Sequence, residues 1–227
     1  MDRRRCLQSI ATVSFAATSG CVGGLSGNET DRTVLGQPDR DLSAAAHPSY
    51  GDELPTVTFP DPLLDEKIST TQFEGERTVL LTFFYTNCPD GMCPALILRL
   101  RRAQEVAAAN GYSEKTALLA VTFDPQRDTA DVLRTYAGQQ GVDLETGNWH
   151  FMRPQTYERG KTRLGEAFGL KIEKTDAKNY ENLEYAFPHY NLILLVNDQG
   201  VVERAYPNGA TVDVSRVVSD FEQVVTA

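Results

Sequence analysis

The chain has 227 residues, 41% of them hydrophobic and 23% charged, the composition of an ordinary globular domain rather than of a collagen-like or wholly disordered chain. No apolar run approaches the roughly 20 residues that a membrane-spanning helix needs, which excludes a polytopic membrane protein. With 31 acidic against 22 basic side chains and a net charge of -9, the chain lacks the cationic excess that phosphate-backbone binding requires, so nucleic acid is excluded as a partner.

Residues 1–20 read as an export signal. Arg3-Arg4-Arg5 precede a short, mildly apolar stretch from Ile10 to Ala17, and the small residues Thr18, Ser19 and Gly20 stand directly before Cys21. This layout resembles a twin-arginine signal ending in a lipoprotein processing box, in which the chain is cut before Cys21 and the Cys21 thiol is lipidated. Ordinary cleavage nearby is the plainer alternative. A single acyl chain holds a protein only marginally, so a stable membrane anchor at Cys21 requires two chains or a further contact. Loss of residues 1–20, which carry three Arg and one Asp, shifts the net charge from -9 to -11. That acid excess, with Lys scarce among the basic residues, resembles proteins of salt-loving archaea. Residues 21–51, rich in Gly, Ser, Asp and Pro and without apolar periodicity, read as a flexible tether, with His47 solvated in it. The folded domain is expected over residues 52–227.

Within that domain, Val79–Tyr85, Thr116–Phe123 and Asn191–Val196 are short apolar runs of the kind that form strands buried on both faces. Between the first two, Leu96, Leu100, Ala103 and Ala107 recur at helical spacing, predicting a helix from Pro94 to Ala109 stopped by Asn110-Gly111, with Arg99 among the residues turned outward. Two further helices are expected over Asp128–Gly138 and Gln155–Phe168. Residues 197–200 predict a turn joining Asn191–Val196 to a strand at Val201–Tyr206. A last helix, N-capped by Thr211, buries Val214, Val217, Val218, Phe221, Val224 and Val225. A βαβ half followed by a ββα half is the thioredoxin-like arrangement: an α/β fold with a central mixed sheet flanked by helices. The loop after its first strand lies at the carboxyl edge of the sheet, where ligands usually bind.

That loop carries Cys88 and Cys93. With Cys6 in the signal and Cys21 at its end, these are the two cysteines left to the domain. Outside the cell such a pair is a disulfide, a redox couple or a soft-metal site. Five positions along a continuous helix would set the two side chains about 140° apart. Pro89, Asp90 and Gly91 instead favour a turn that folds Cys88 back toward Cys93. Pro94 suits the first helical position, and the positive end of the helix dipole is expected to favour the Cys93 thiolate. A structural disulfide closing so small a loop would contribute little stability.

The run from Phe83 to Leu96, FFYTNCPDGMCPAL, resembles the copper-site loop of the SCO/SenC family, thioredoxin-like copper chaperones of cytochrome oxidase assembly. Phe123–Thr129 (FDPQRDT) and Ala167–Leu170 (AFGL) match further family segments, and the resemblance covers about residues 52–227. It implies that copper is held by Cys88, Cys93 and His189, the last lying in PHYNLILLVNDQG from Pro188 to Gly200. Two thiolates select Cu(I), and an added imidazole lets the site also hold Cu(II). The implied partners are the copper-bearing subunit of a cytochrome oxidase, a thiol reductant protein that keeps the pair reduced, and the membrane through the lipid anchor. Two departures stand out: four residues separate the cysteines where the family has three, so the loop must bulge, and Pro188 replaces the Asp that commonly precedes the histidine.

Other residues receive plainer readings. Met92 is a possible weak thioether ligand but more often such a side chain fills gaps. Packing or a surface hydrogen bond accounts for His150. Capping and ion pairing account for Asp124, Arg127 and Asp128. Tyr180, Tyr185 and Tyr190 are expected to pack or to shield His189. The rival reading is a membrane-tethered thiol-disulfide oxidoreductase that uses Cys88 and Cys93, for which the pair is not in C-x-x-C spacing.

Overall fold

The computed structural model describes residues 32–178, 180, 183–188 and 191–227. Cys6, Cys21 and the signal segment, and also His189 and Tyr190, lie outside the described residues.

The domain begins with an antiparallel hairpin, β1 (Thr58–Asp61) and β2 (Glu66–Ser69). β3 (Thr78–Phe84) follows, buried at all seven positions, then α1 (Met92–Asn110) and the equally buried β4 (Thr116–Thr122). After these come α2 (Ala130–Gln140), β5 (Trp149–Met152), α3 (Tyr157–Phe168), a two-residue pairing of β6 (Thr175–Asp176) with β7 (Tyr185–Ala186), β8 (Ile193–Val196), β9 (Val202–Tyr206) and α4 (Val214–Val225). The main sheet runs β5-β4-β3-β8-β9. β3, β4 and β5 are parallel, whereas β8 lies antiparallel to β3 and β9 antiparallel to β8. This is the expected mixed thioredoxin-like sheet, with β3 at its centre.

Alternation along β3 assigns the helices to faces. Phe84 stacks on Tyr136 of α2, and the neighbouring Phe83 meets Phe168 of α3, so α2 and α3 cover opposite faces. The buried stripe of α1 contains Leu96, Leu100, Ala103 and Ala107 as predicted. Arg99 differs from its outward expectation: it is buried, and its Nε donates to the Val212 carbonyl just ahead of α4 at 2.9 Å. The helix starts also shift. α1 begins at Met92, which makes Pro94 its third residue, and Asp213 rather than Thr211 caps α4 by accepting the Ser215 N–H at 2.8 Å. The short β1, β2 and β5 offered too few residues for a period to show.

The tether expected to reach residue 51 differs from the structure over residues 32–51, which are packed as a strap. Gly51 N–H donates to Val202 O and Val202 N–H to Asp52 O, each at 2.9 Å, so the strap pairs with the outer strand β9 and covers a sheet edge. Leu35 is buried, and the buried carboxylate of Glu203 accepts the N–H groups of Val34 (2.7 Å) and Leu35 (2.9 Å). At the far end of the strap, the Ala46 carbonyl presses on Gly169, which ends α3 at φ 63°. A Cβ at Gly169 would stand 2.5 Å from that oxygen. His47 is correspondingly buried rather than solvated, with Nδ1 2.9 Å from the Pro48 carbonyl. The strap is held largely through backbone groups, which leave no apolar period for a sequence to display.

Candidate metal centre

β3 delivers the chain to the carboxyl rim of the sheet, where Tyr85 is fully buried and the thiol loop begins. The loop turns into α1 at Gly91, whose φ of 76° lies in the left-handed region that glycine enters without strain. Gly91 offers no side-chain cap, and a sulfur fills the gap: Cys88 Sγ accepts the N–H of Cys93 at 3.2 Å. Cys88 Sγ also donates to Asp90 Oδ1 at 3.1 Å, and the same oxygen accepts the Met92 N–H at 3.1 Å. Both cysteines are thiols.

The two sulfurs occupy unlike surroundings. Cys88 is half-buried, whereas Cys93 is fully buried and its Sγ accepts the Tyr85 N–H at 3.4 Å. Burial pushes the Cys93 thiol well above the usual range, and the adjacent Cys88 sulfur adds to that shift. The helix start is expected to favour the Cys93 thiolate, and burial acts in the opposite direction. The first-turn amide points at Cys88 instead. Met92 is half-buried against the core, in line with a packing role.

The segment after β4 braces this loop. Asp128 is fully buried; its Oδ1 accepts the Thr86 hydroxyl at 2.5 Å and the Thr86 N–H at 3.2 Å, while Oδ2 accepts the Thr122 hydroxyl. Thr129, not Asp128, caps α2. Asp124 pairs with Arg127, the ion pairing expected of that segment. Burial pushes the Asp128 carboxyl up to about 6 against a usual value near 3.8. A raised carboxyl pKa means that the fold favours the neutral form. Its stabilising contribution is complete below pH 4 and disappears as pH rises through 6. Wild type should thus lose about 3 kcal/mol relative to Asp128→Asn between those limits. Urea denaturation of both proteins from pH 4 to 7 checks this, and a pH-independent difference would refute it.

The other sequence candidates sort as follows. His150 lies buried in β5, its ring centroid 5.3 Å from that of Phe73, with neither ring nitrogen hydrogen-bonded among the described residues; packing, not a surface hydrogen bond, explains it. Burial pushes its pKa down to about 4. Tyr180 is exposed, whereas Tyr185 packs on Phe187. The described neighbours of His189 sit at the rim that carries the thiols. Phe187 N–H donates to the Tyr85 hydroxyl at 3.4 Å, and Leu192 O accepts the Thr82 hydroxyl at 2.9 Å. Among the described residues no three His, Cys, Asp or Glu side chains form a metal-sized cluster.

The sequence model of the SCO1/SenC family matches residues 64–226. The chain belongs to the SCO1/SenC family. A Stutzerimonas stutzeri protein named for copper binding is 31% identical over 139 residues, an alignment covering 60% of each protein, so the match spans less than two thirds of that relative's length. Among solved structures, BsSco, described as a member of the Sco family of cytochrome c oxidase assembly proteins, superposes with a TM-score of 0.59 at 19% identity over 79% of this chain and 96% of its own. Arabidopsis thaliana ScoI, solved with copper bound, gives 0.59 at 17% identity over 77% and 99%. At such identities the likeness is one of fold, and the SCO1/SenC fold is thioredoxin-like.

Proposed function

We propose that this SCO1/SenC protein carries one copper ion on Cys88, Cys93 and His189 and hands it to the copper-bearing subunit of a cytochrome oxidase. The observation that carries the reading is the contact of Cys88 Sγ with the Cys93 N–H at 3.2 Å, which brings the two cysteines together despite their spacing. A thiolate pair in so apolar a place is costly without a cation, and a soft monovalent ion meets that demand. The copper-bound ScoI and the copper-binding name of the Stutzerimonas relative support the choice of metal, and the description of BsSco supports the assembly role.

Copper moves by exchange of one thiolate ligand for another, so the pair must be reduced. A dithiol reductant supplies the two electrons that open any Cys88–Cys93 disulfide, and itself ends as a disulfide. The protein is exported and anchored at the outer face of the membrane through lipid on Cys21. From Cys21 to Arg32, where the described strap begins, the chain can reach at most roughly 40 Å.

Titration of the reduced full chain with Cu(I) and Cu(II) tests the proposal. His189→Ala should lower Cu(II) affinity by about 100-fold or more, since loss of a partner that merely orients a ligand already costs about 10- to 100-fold, while Cu(I), held by two thiolates, changes far less. The half-exposed Cys88 beside the buried Cys93 favours a second reading, an attacking and a resolving thiol of a thiol-disulfide oxidoreductase. Robust reduction of insulin disulfides, with Cu(II) binding unchanged in His189→Ala, would establish that reading instead.

A further inference from the structure

The turn after β4, Asp124 to Asp128, has two arms. One is the Asp128 carboxylate that holds Thr86 at the start of the thiol loop. The other is Arg127. Its Nε pairs with Asp124, its Nη1 donates to the carbonyl of Tyr185 at 3.0 Å, and its guanidinium carbon lies 3.9 Å from the Tyr185 ring centroid and 5.7 Å from that of Tyr85. The Tyr185 hydroxyl returns to the same turn, donating to Asp124 Oδ1 at 2.8 Å, and Lys174 Nζ stands 4.0 Å from the Tyr185 ring. Tyr185 is four residues before His189.

We infer that Arg127 is a positioning residue for the copper site: it latches the segment bearing His189 to the rim where Cys88 and Cys93 sit. The inference rests on the three-ligand reading proposed above. Tyr185 belongs to the two-residue strand β7, too short to fix its own place, so the segment depends on tertiary contacts. Arg127 provides several at once: an ion pair, a carbonyl hydrogen bond and a cation over an aromatic face. Lysine has the charge but not the planar fork, so it cannot make all three. A second clasp is Phe187 N–H on the Tyr85 hydroxyl at 3.4 Å, with the two rings edge to face at 5.1 Å. One short turn thereby braces the thiol loop through Asp128 and, through Arg127, the Tyr185 segment that leads into His189.

Arg127→Met keeps the aliphatic stem and removes the fork; Arg127→Lys keeps the charge. Two measurements on the reduced full chain decide the matter. In the metal-free protein, amide hydrogen exchange at residues 183–187 should quicken in Arg127→Met and remain partly protected in Arg127→Lys. In copper titrations, Arg127→Met should lower Cu(II) affinity by about tenfold, the scale for losing a partner that orients a ligand, with Cu(I) affinity within about threefold of wild type. Added to His189→Ala, Arg127→Met should change Cu(II) affinity no further, because it acts through His189. Unchanged exchange at 183–187 overturns the latch. So does an equal loss of Cu(I) and Cu(II) affinity, or an additive loss in the double variant, since both mark general weakening of the fold. If His189→Ala itself leaves Cu(II) binding untouched, the three-ligand reading fails and the copper role of Arg127 falls with it, while the exchange measurement still decides whether Arg127 holds the segment.

Discussion

Cys93→Ser is expected to lower Cu(I) affinity by on the order of a thousandfold, about 4 kcal/mol, because a hydroxyl replaces one of two soft thiolates. The substitution is nearly isosteric, and the serine oxygen inherits the Tyr85 N–H that Cys93 Sγ now accepts at 3.4 Å, so the start of α1 should survive. Cys93 is fully buried, and a hydroxyl there costs about 1 to 3 kcal/mol of stability, which denaturant titration separates from the loss of binding. Cys88→Ser should weaken Cu(I) binding on a similar scale with less effect on stability, since Cys88 is half-exposed. Met92→Leu is the contrast: its side chain packs against the core, and Cu(I) affinity should stay within about threefold, an interval too small for loss of a ligand. Competition with a chromophoric Cu(I) chelator measures all three. Retention of near-native Cu(I) affinity by Cys93→Ser would remove the thiol pair from the site.

Glu203→Ala is expected to destabilise the protein by about 3 kcal/mol, because it leaves the buried Leu35 N–H and the part-buried Val34 N–H without their acceptor and takes one from the Asn197 amide. The fully buried carboxylate takes the N–H groups of Val34 and Leu35 and, at 2.7 Å, the Asn197 side-chain amide, and so joins the strap to β9 and to the β8–β9 turn. Without it the strap should lift from the sheet edge, and limited proteolysis should cut within residues 32–51 well before the domain. Glu203→Gln keeps one acceptor oxygen and should fall between the two. A loss below about 1 kcal/mol with an unchanged digestion pattern would show that the strap is held by its other contacts, such as the burial of Leu35. Lifting it should leave the thiols undisturbed, since the strap pairs with β9 while the thiols follow the central β3.

The central elements were legible in the sequence because their hydrophobic runs admit few alternatives. The seven residues of β3 and of β4 are all buried, and an unbroken apolar run between turn residues has no solvent face to present. The α1 stripe and the β8–β9 hairpin followed from periodicity and from the turn chemistry of residues 197–200. Helix starts were less legible, since they depend on which backbone group finds an acceptor. Asp213 displaced Thr211 as a cap, and Gly91 with the Cys88 sulfur displaced Pro94 as the start of α1.

By itself the sequence determined that a βαβ unit sets two cysteines after its first strand and that an apolar strand follows His189, because hydrophobic period and glycine and proline placement act over a few residues. Only the tertiary structure decided that the Cys93 sulfur faces inward while the helix start serves Cys88, that residues 32–51 cover the sheet edge, and that Asp128 and Arg127 brace the two segments of the rim. Each of these rests on burial or on a hydrogen bond between residues far apart in the chain. Such partners are chosen by the packing of the whole sheet, a choice that no local pattern encodes.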